Sequence, residues 1–191
     1  MPSTCPVAPW LCHPPRITIP RGLYPWLTDP GSLTARIRAR CGRFAVQVLG
    51  QGLARPHCDE AAVLGLAPGV MAWQREVVLL ADDVPVVYAR SLMSRDHLRG
   101  PWNRFTGLGN RPLGAALFAD PRILRQPLRV ARLDHRDPRY RRAAAVSPGA
   151  GSGLWARRSR FELDGRALLV CEVFLPAILD LASQPWVRIP A

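Results

Sequence analysis

LWARRSRFELDGRALLVCEVFLPA, Leu154 to Ala177, decides the fold. Two β-rich runs flank Asp164-Gly165, a pair that accepts the left-handed backbone of a two-residue hairpin turn. Such a turn fixes register, so cross-strand partners can be counted outward from it. Leu163 then faces Arg166, Phe161 faces Leu168, and Arg157 faces Glu172. Glu172 stands alone in an otherwise apolar run. A carboxylate there is either one half of a buried structural ion pair or part of a binding site.

A second hairpin follows from MAWQREVVLLADDVPVVYARSLMS, residues 71–94, around Asp82-Asp83 with Pro85 just past the turn. The same count sets Arg75 opposite Arg90. Like charges directly opposed on strands rich in Val and Leu are destabilising. They make sense if an anion sits between them, since a carboxylate fits the guanidinium fork. The bland alternative is that these arginines lie on the solvent face of a one-sided sheet.

The remaining segments fill in the architecture. TDPGSLTARIRARCG is predicted as a helix, with Asp29 as cap, Pro30 at the first position and Gly42 ending it. Leu33, Ile37 and Cys41 form its apolar face. RFAVQVLG and LRVARLD alternate as strands. HCDEAAVLGLAPG reads as a loop with at most a short helical turn. HLRGPWNRFTGLGNRPLGAALFADP reads as a helical region broken by Gly and Pro, with Leu113, Ala116 and Leu117 at helix spacing. RDPRYRRAAAVSPGAGSG is expected to be a polar connection, part of an enlarged basic loop over residues 134–153. Hairpins with helices inserted between them, rather than alternating one for one, imply an α+β fold: an antiparallel sheet with helices on one side.

At 191 residues the chain is long enough for one well-cored domain. Residues 1–25 carry seven prolines and read as an extended arm, leaving residues 26–191 as the domain. No apolar run approaches the roughly 18 residues that span a membrane, and no secretory signal is evident; a cytoplasmic protein is expected. Five scattered cysteines without C-x-x-C spacing argue for free thiols rather than a disulfide framework or zinc site. The net charge is +12 and every basic residue is Arg, which removes Schiff-base and P-loop lysine chemistry. Excess Arg suits nucleic acid, and it equally suits a small anionic substrate. The run His135, Arg136, Arg139, Arg141, Arg142 reads as a solvated face. His57-Cys58-Asp59-Glu60 collects reactive types, but neighbours in a loop rarely converge on one point. Gly149 to Gly153 follows Pro148 rather than a strand and lacks Lys, so it reads as a flexible loop.

From about Trp26 to Ala177 the chain resembles the chorismate lyase family. The matching segments are GSLTARI, WQREVVLLADDVPVVYAR, NRPLGAALF and GLWARRSRFELDGRALLVCEVFLPA, in that order. The last is the most specific, with its LWxRRS start and E-x-FLP finish. The resemblance implies an antiparallel sheet with helical flaps enclosing a ligand pocket. It implies that Arg75 binds a substrate carboxylate, that Leu113 contacts ligand through its main chain, and that Glu172 faces the ring hydroxyl. Leu33 falls at an apolar contact position. Arg90 is added from the register count alone.

The implied reaction eliminates pyruvate from chorismate to give 4-hydroxybenzoate, the first step toward ubiquinone. The ring becomes aromatic, so no metal, nucleotide or redox cofactor is called for. Glu172 would orient the ring hydroxyl and could serve as general acid or base; Arg75 would stabilise charge on the departing enolate. The expected protein is a monomer without nucleic-acid or membrane partners. The rival reading is a non-catalytic, small-anion-sensing domain like the effector domain of GntR-type regulators. Those regulators carry a helix-turn-helix module, which the short Pro-rich arm does not supply.

Overall fold

The computed structural model describes residues 8–182. Its helices are α1 (Tyr24–Thr28), α2 (Leu33–Arg38), α3 (Cys58–Leu64), α4 (Leu113–Ala119), α5 (Pro138–Val146) and α6 (Ile178–Ala182). The strands are β1 (Phe44–Ala54), β2 (Ala72–Ala81), β3 (Val84–Ser94), β4 (Leu124–Arg125), β5 (Arg129–Leu133), β6 (Leu154–Leu163) and β7 (Arg166–Phe174). They form one antiparallel sheet in the order β1-β2-β3-β7-β6-β4, with β5 also paired to β6. The architecture is the expected α+β. α1, α2 and α4 cover one face, where Trp26, Leu27, Leu33 and Ile37 pack on Val46, Val77 and Leu79. α3 and α5 lie against the other face.

The β6–β7 hairpin has the counted register. Leu163 pairs with Arg166, Phe161 with Leu168 and Arg157 with Glu172. Asp164 and Gly165 adopt φ of 51° and 71°, the two left-handed positions of a type I′ turn. Asp82 and Asp83 do the same with φ of 49° and 65°, without a glycine. Asp tolerates this region because its short carboxylate bonds nearby backbone. Here Asp82 Oδ1 accepts from the Arg43 amide at 2.7 Å, and Oδ2 accepts from Gly42 at 3.3 Å.

The β2–β3 hairpin departs from the count. Leu80 pairs with Pro85 but Leu79 pairs with Val87, so Val86 is an extra, bulged residue. Pro85 has no N–H to give the ladder. The Val86 carbonyl instead accepts the Leu175 amide at 3.0 Å. Beyond the bulge Arg75 faces Ser91, and Arg90 faces Glu76. The expected Arg75–Arg90 opposition therefore does not occur, and the two side chains project from opposite faces of the sheet.

Four further expectations are corrected. The helix read from Asp29 onward begins later, with Ser32 accepting from the Ala35 amide at 3.3 Å, and ends at Arg38. Cys58–Leu64 is a true helix, capped reciprocally by His57 and Glu60 and closed by Gly65 at φ 66°. The basic connection contains α5: Asp137 caps it by accepting from the Arg139 amide at 2.8 Å, and Pro138 takes the first turn. Within the stretch read as an arm, Leu11 bridges to Val130, while Ile19 and Leu23 are buried in the core. Cys12, Cys41 and Cys171 are free thiols, as expected, whereas Cys58 is disulfide-bonded.

Candidate active site

A narrow cavity of about 40 Å³ lies between the sheet and the layer of α2 and α4. Strand alternation builds its floor, because residues two apart share a face. Arg75, Val77 and Leu79 of β2, Ala89 and Ser91 of β3, and Val170 and Glu172 of β7 all line it. Arg157, Ser159 and Phe161 of β6 extend that floor, and Arg125 of β4 closes one side. Leu33 and Thr34 of α2 with Leu113, Gly114 and Leu117 of α4 form the roof. Gly114 lets the two helices meet closely: a Cβ there would come within 3.2 Å of Thr34 Oγ1. α4 starts at Leu113, so the first amides of the helix have no helical carbonyl to bond.

Arg75 is 2% exposed and has no carboxylate at ion-pair distance among the described residues. Its Nη2 donates to the carbonyls of Gly109 at 2.7 Å and Arg111 at 3.1 Å, pinning the segment before α4 over the sheet. Its Nε is buried with no hydrogen-bond partner. Burial alone lowers its affinity for the proton below the ordinary arginine value.

Glu172 and Arg157 form the ion pair that the register count allowed, with Arg157 Nε donating to Glu172 Oε2 at 2.6 Å. Arg157 Nη1 also donates to the carbonyls of Trp26 and Asp29, at 2.8 and 2.9 Å. The pair lines the cavity, so the two readings of Glu172 are not exclusive. Arg125 donates from Nε to Ser159 Oγ at 2.9 Å and from Nη1 to the carbonyl of Pro30. Burial, then the neighbouring Arg157 charge, draws its pKa down to about 10. The cavity wall thus holds three guanidiniums against one carboxylate, leaving two positive charges in excess. A charge without a partner is destabilising in the buried surroundings of Arg75 and, less so, at the half-buried Arg125; a ligand with two carboxylates would cancel both.

Of the residues singled out in the sequence, the structure brings Leu33, Arg75, Leu113 and Glu172 together around the cavity. Arg90 is not among them. It lies behind the floor, 4% exposed, with Nε 3.1 Å from Glu60 and Nη1 2.6 Å from Glu76. Val86 is the physical reason: the bulge moves Arg90 out of alignment with Arg75. Sequence reasoning missed Arg125, which sits on a two-residue strand with no periodicity to reveal it. Arg157 was visible as the partner of Glu172 but not as a wall of the cavity.

A family model described as chorismate lyase matches residues 8–184. A probable chorismate pyruvate-lyase of Aromatoleum aromaticum is 63% identical over 176 residues, covering 91% of this chain and 95% of that relative. A second, from Azoarcus sp., is 56% identical over 180 residues and covers 92% of this chain and 95% of its own. Among solved structures, the effector domain of PhnF from Mycobacterium smegmatis aligns with a TM-score of 0.54 at 20% identity, covering 76% of this chain and 89% of that one. That likeness is one of fold alone. With a family match along nearly the whole chain and relatives this similar, the chain belongs to the chorismate lyase family.

Proposed function

We propose that the protein eliminates pyruvate from chorismate to give 4-hydroxybenzoate. The single observation that carries the reading is the charge of the cavity: two guanidiniums in excess, enclosed beside one carboxylate, in a member of this family. Chorismate carries two carboxylates, one on the ring and one on the enolpyruvyl ether. Elimination breaks the ring carbon–oxygen bond, and its electron pair leaves with the enolpyruvyl oxygen. A proton is lost from the carbon bearing the ring hydroxyl, the new double bond makes the ring aromatic, and the released enolpyruvate takes up one proton at its methylene carbon to become pyruvate. Every atom of the substrate ends in one of the two products.

Arg75 has a buried, unused Nε and receives the ring carboxylate together with the Leu113 main chain. Glu172, anchored by Arg157, accepts from the ring hydroxyl and fixes the ring for the departure of its neighbour. Leu33 supplies an apolar contact above the ring. The enclosing wall excludes water, which strengthens each of these interactions. We further propose that the protein acts as a cytoplasmic monomer in ubiquinone synthesis, without nucleic-acid or membrane partners. Among the described residues no helix is long and apolar enough to cross a membrane.

The test is to mix purified protein with chorismate alone and measure 4-hydroxybenzoate and pyruvate. Equal amounts of both, above the uncatalysed rate, are expected. Tight binding of chorismate without turnover would overturn the lyase reading in favour of a sensing domain.

A further inference from the structure

The narrow cavity adjoins a wider surface cleft of about 810 Å³. Leu117, Phe118, Arg125 and Phe161 line both, so these four side chains are the partition between them. Arg125 is the only charged member of that partition. Its guanidinium carbon lies 5.4 Å from the centroid of the Phe118 ring and 5.3 Å from that of Phe161, beside the corner where these two nearly perpendicular rings meet. With Nε donating to Ser159 Oγ and Nη1 to the Pro30 carbonyl, Nη2 is the donor left for an in-plane partner among the described residues.

Arg125 and Arg75 share a property that separates them from Arg157. Among the described residues neither has a carboxylate within ion-pair distance, and their hydrogen bonds run only to neutral oxygens. They differ in position. Arg75 lies on the sealed floor beneath the segment it pins, whereas Arg125 stands where the cavity meets the cleft. A substrate with two carboxylates would lay one against each. The substituent that departs as a separate, smaller product belongs at the end with an outlet.

We propose that Arg125 binds the carboxylate of the enolpyruvyl side chain, the one that the substrate has and 4-hydroxybenzoate lacks. The assignment rests on the lyase reading and deepens it: Arg75 recognises what substrate and aromatic product have in common, and Arg125 recognises what distinguishes them. It also gives the order of departure. Once the ether bond breaks, pyruvate sits against the partition and leaves through the cleft, while the aromatic product stays against Arg75.

The experiment compares Arg125→Met and Arg75→Met with the parent protein, reading KM and kcat for chorismate and the Kd of 4-hydroxybenzoate. A charged hydrogen bond of this kind corresponds to about 10- to 100-fold in affinity. Arg125→Met is expected to raise the KM for chorismate by that factor and to leave the Kd of 4-hydroxybenzoate within about threefold. Arg75→Met is expected to weaken both. Arg125→Lys keeps the charge without the fork, so its KM should fall between parent and Met variant; it also stands in if the Met variant fails to fold. Equal loss of substrate and product affinity in the Arg125 variants, or no loss in either, would overturn the assignment while leaving the lyase reading intact. No turnover by the parent protein would overturn both.

Discussion

The two faces of the sheet use the same side chain to opposite ends. Behind the floor, the buried Arg90, Arg139 and Arg158 and the exposed Arg142 meet Glu60, Glu76, Asp59 and Asp137, so that each guanidinium has a carboxylate at 2.6–3.1 Å. In front, Arg75, Arg125 and Arg157 line a cavity with a single carboxylate, Glu172, and only Arg157 pairs with it. The contrast is drawn by adjacent positions of single strands: Arg158 next to Arg157, Glu76 next to Arg75, Cys171 next to Glu172. A buried arginine is therefore no sign of a site. A missing carboxylate is.

The sharpest way to break this comparison is to exchange one carboxylate on each face. Glu172→Gln is expected to lower kcat for chorismate by about 10²- to 10⁴-fold in steady-state assays, the range for a positioned acid–base or orienting group. Its melting temperature should fall only modestly, because Arg157 keeps two backbone carbonyls. Glu60→Gln is expected to do the reverse. It removes one of the two carboxylates beside Arg90 and should cost about 1.5–3 kcal/mol in urea unfolding, with kcat/KM changed less than about threefold. Equal damage to activity by both would end the distinction between the faces.

Acid sharpens the same contrast with a smaller effect. Burial opposes ionisation of Asp59, yet Arg139, Arg158 and the Trp10 indole hold its carboxyl below the ordinary value of 3.8. Burial likewise opposes ionisation of Glu76, and Arg142 and Arg90 hold it below 4.5. Both are depressed in the folded state, so their stabilisation is complete above those ordinary values and is lost as pH falls through the lower, folded-state ones. Urea midpoints should therefore drop as pH falls below about 4, and Asp59→Asn should flatten that slope. The smallest expected effect lies at the turn. Asp82→Ala removes the acceptors of Gly42 and Arg43 and places Ala at φ 49°, costing about 1–2 kcal/mol in the same assay with activity intact.

Local rules reached as far as local causes extend. Asp164-Gly165 carries its turn geometry in two residues, and from it the Arg157–Glu172 pair follows by counting. Asp82-Asp83 starts equally well, but Val86 leaves the ladder because its carbonyl is taken by the amide of Leu175, just past the end of β7. No neighbour in sequence announces that. α5 did have a signal in Asp137-Pro138, obscured by the charges after it; Arg139 reads as solvated until Asp137 and Asp59 are seen to close around it. Arg125 had no signal of its own, since its surroundings come from Phe118 on the preceding helix and from Pro30, Ser159 and Phe161, remote in the chain.

One contact has a kinetic corollary. The guanidinium of Arg75 is a latch as well as the proposed receptor, fastening the carbonyls of Gly109 and Arg111 on one edge and leaving Nε without a partner on another. A guest that braces this side chain also braces the strap above itself. Affinity and residence time are then coupled through a single residue, and every gain in grip on the aromatic acid lengthens the wait before the next molecule can be admitted.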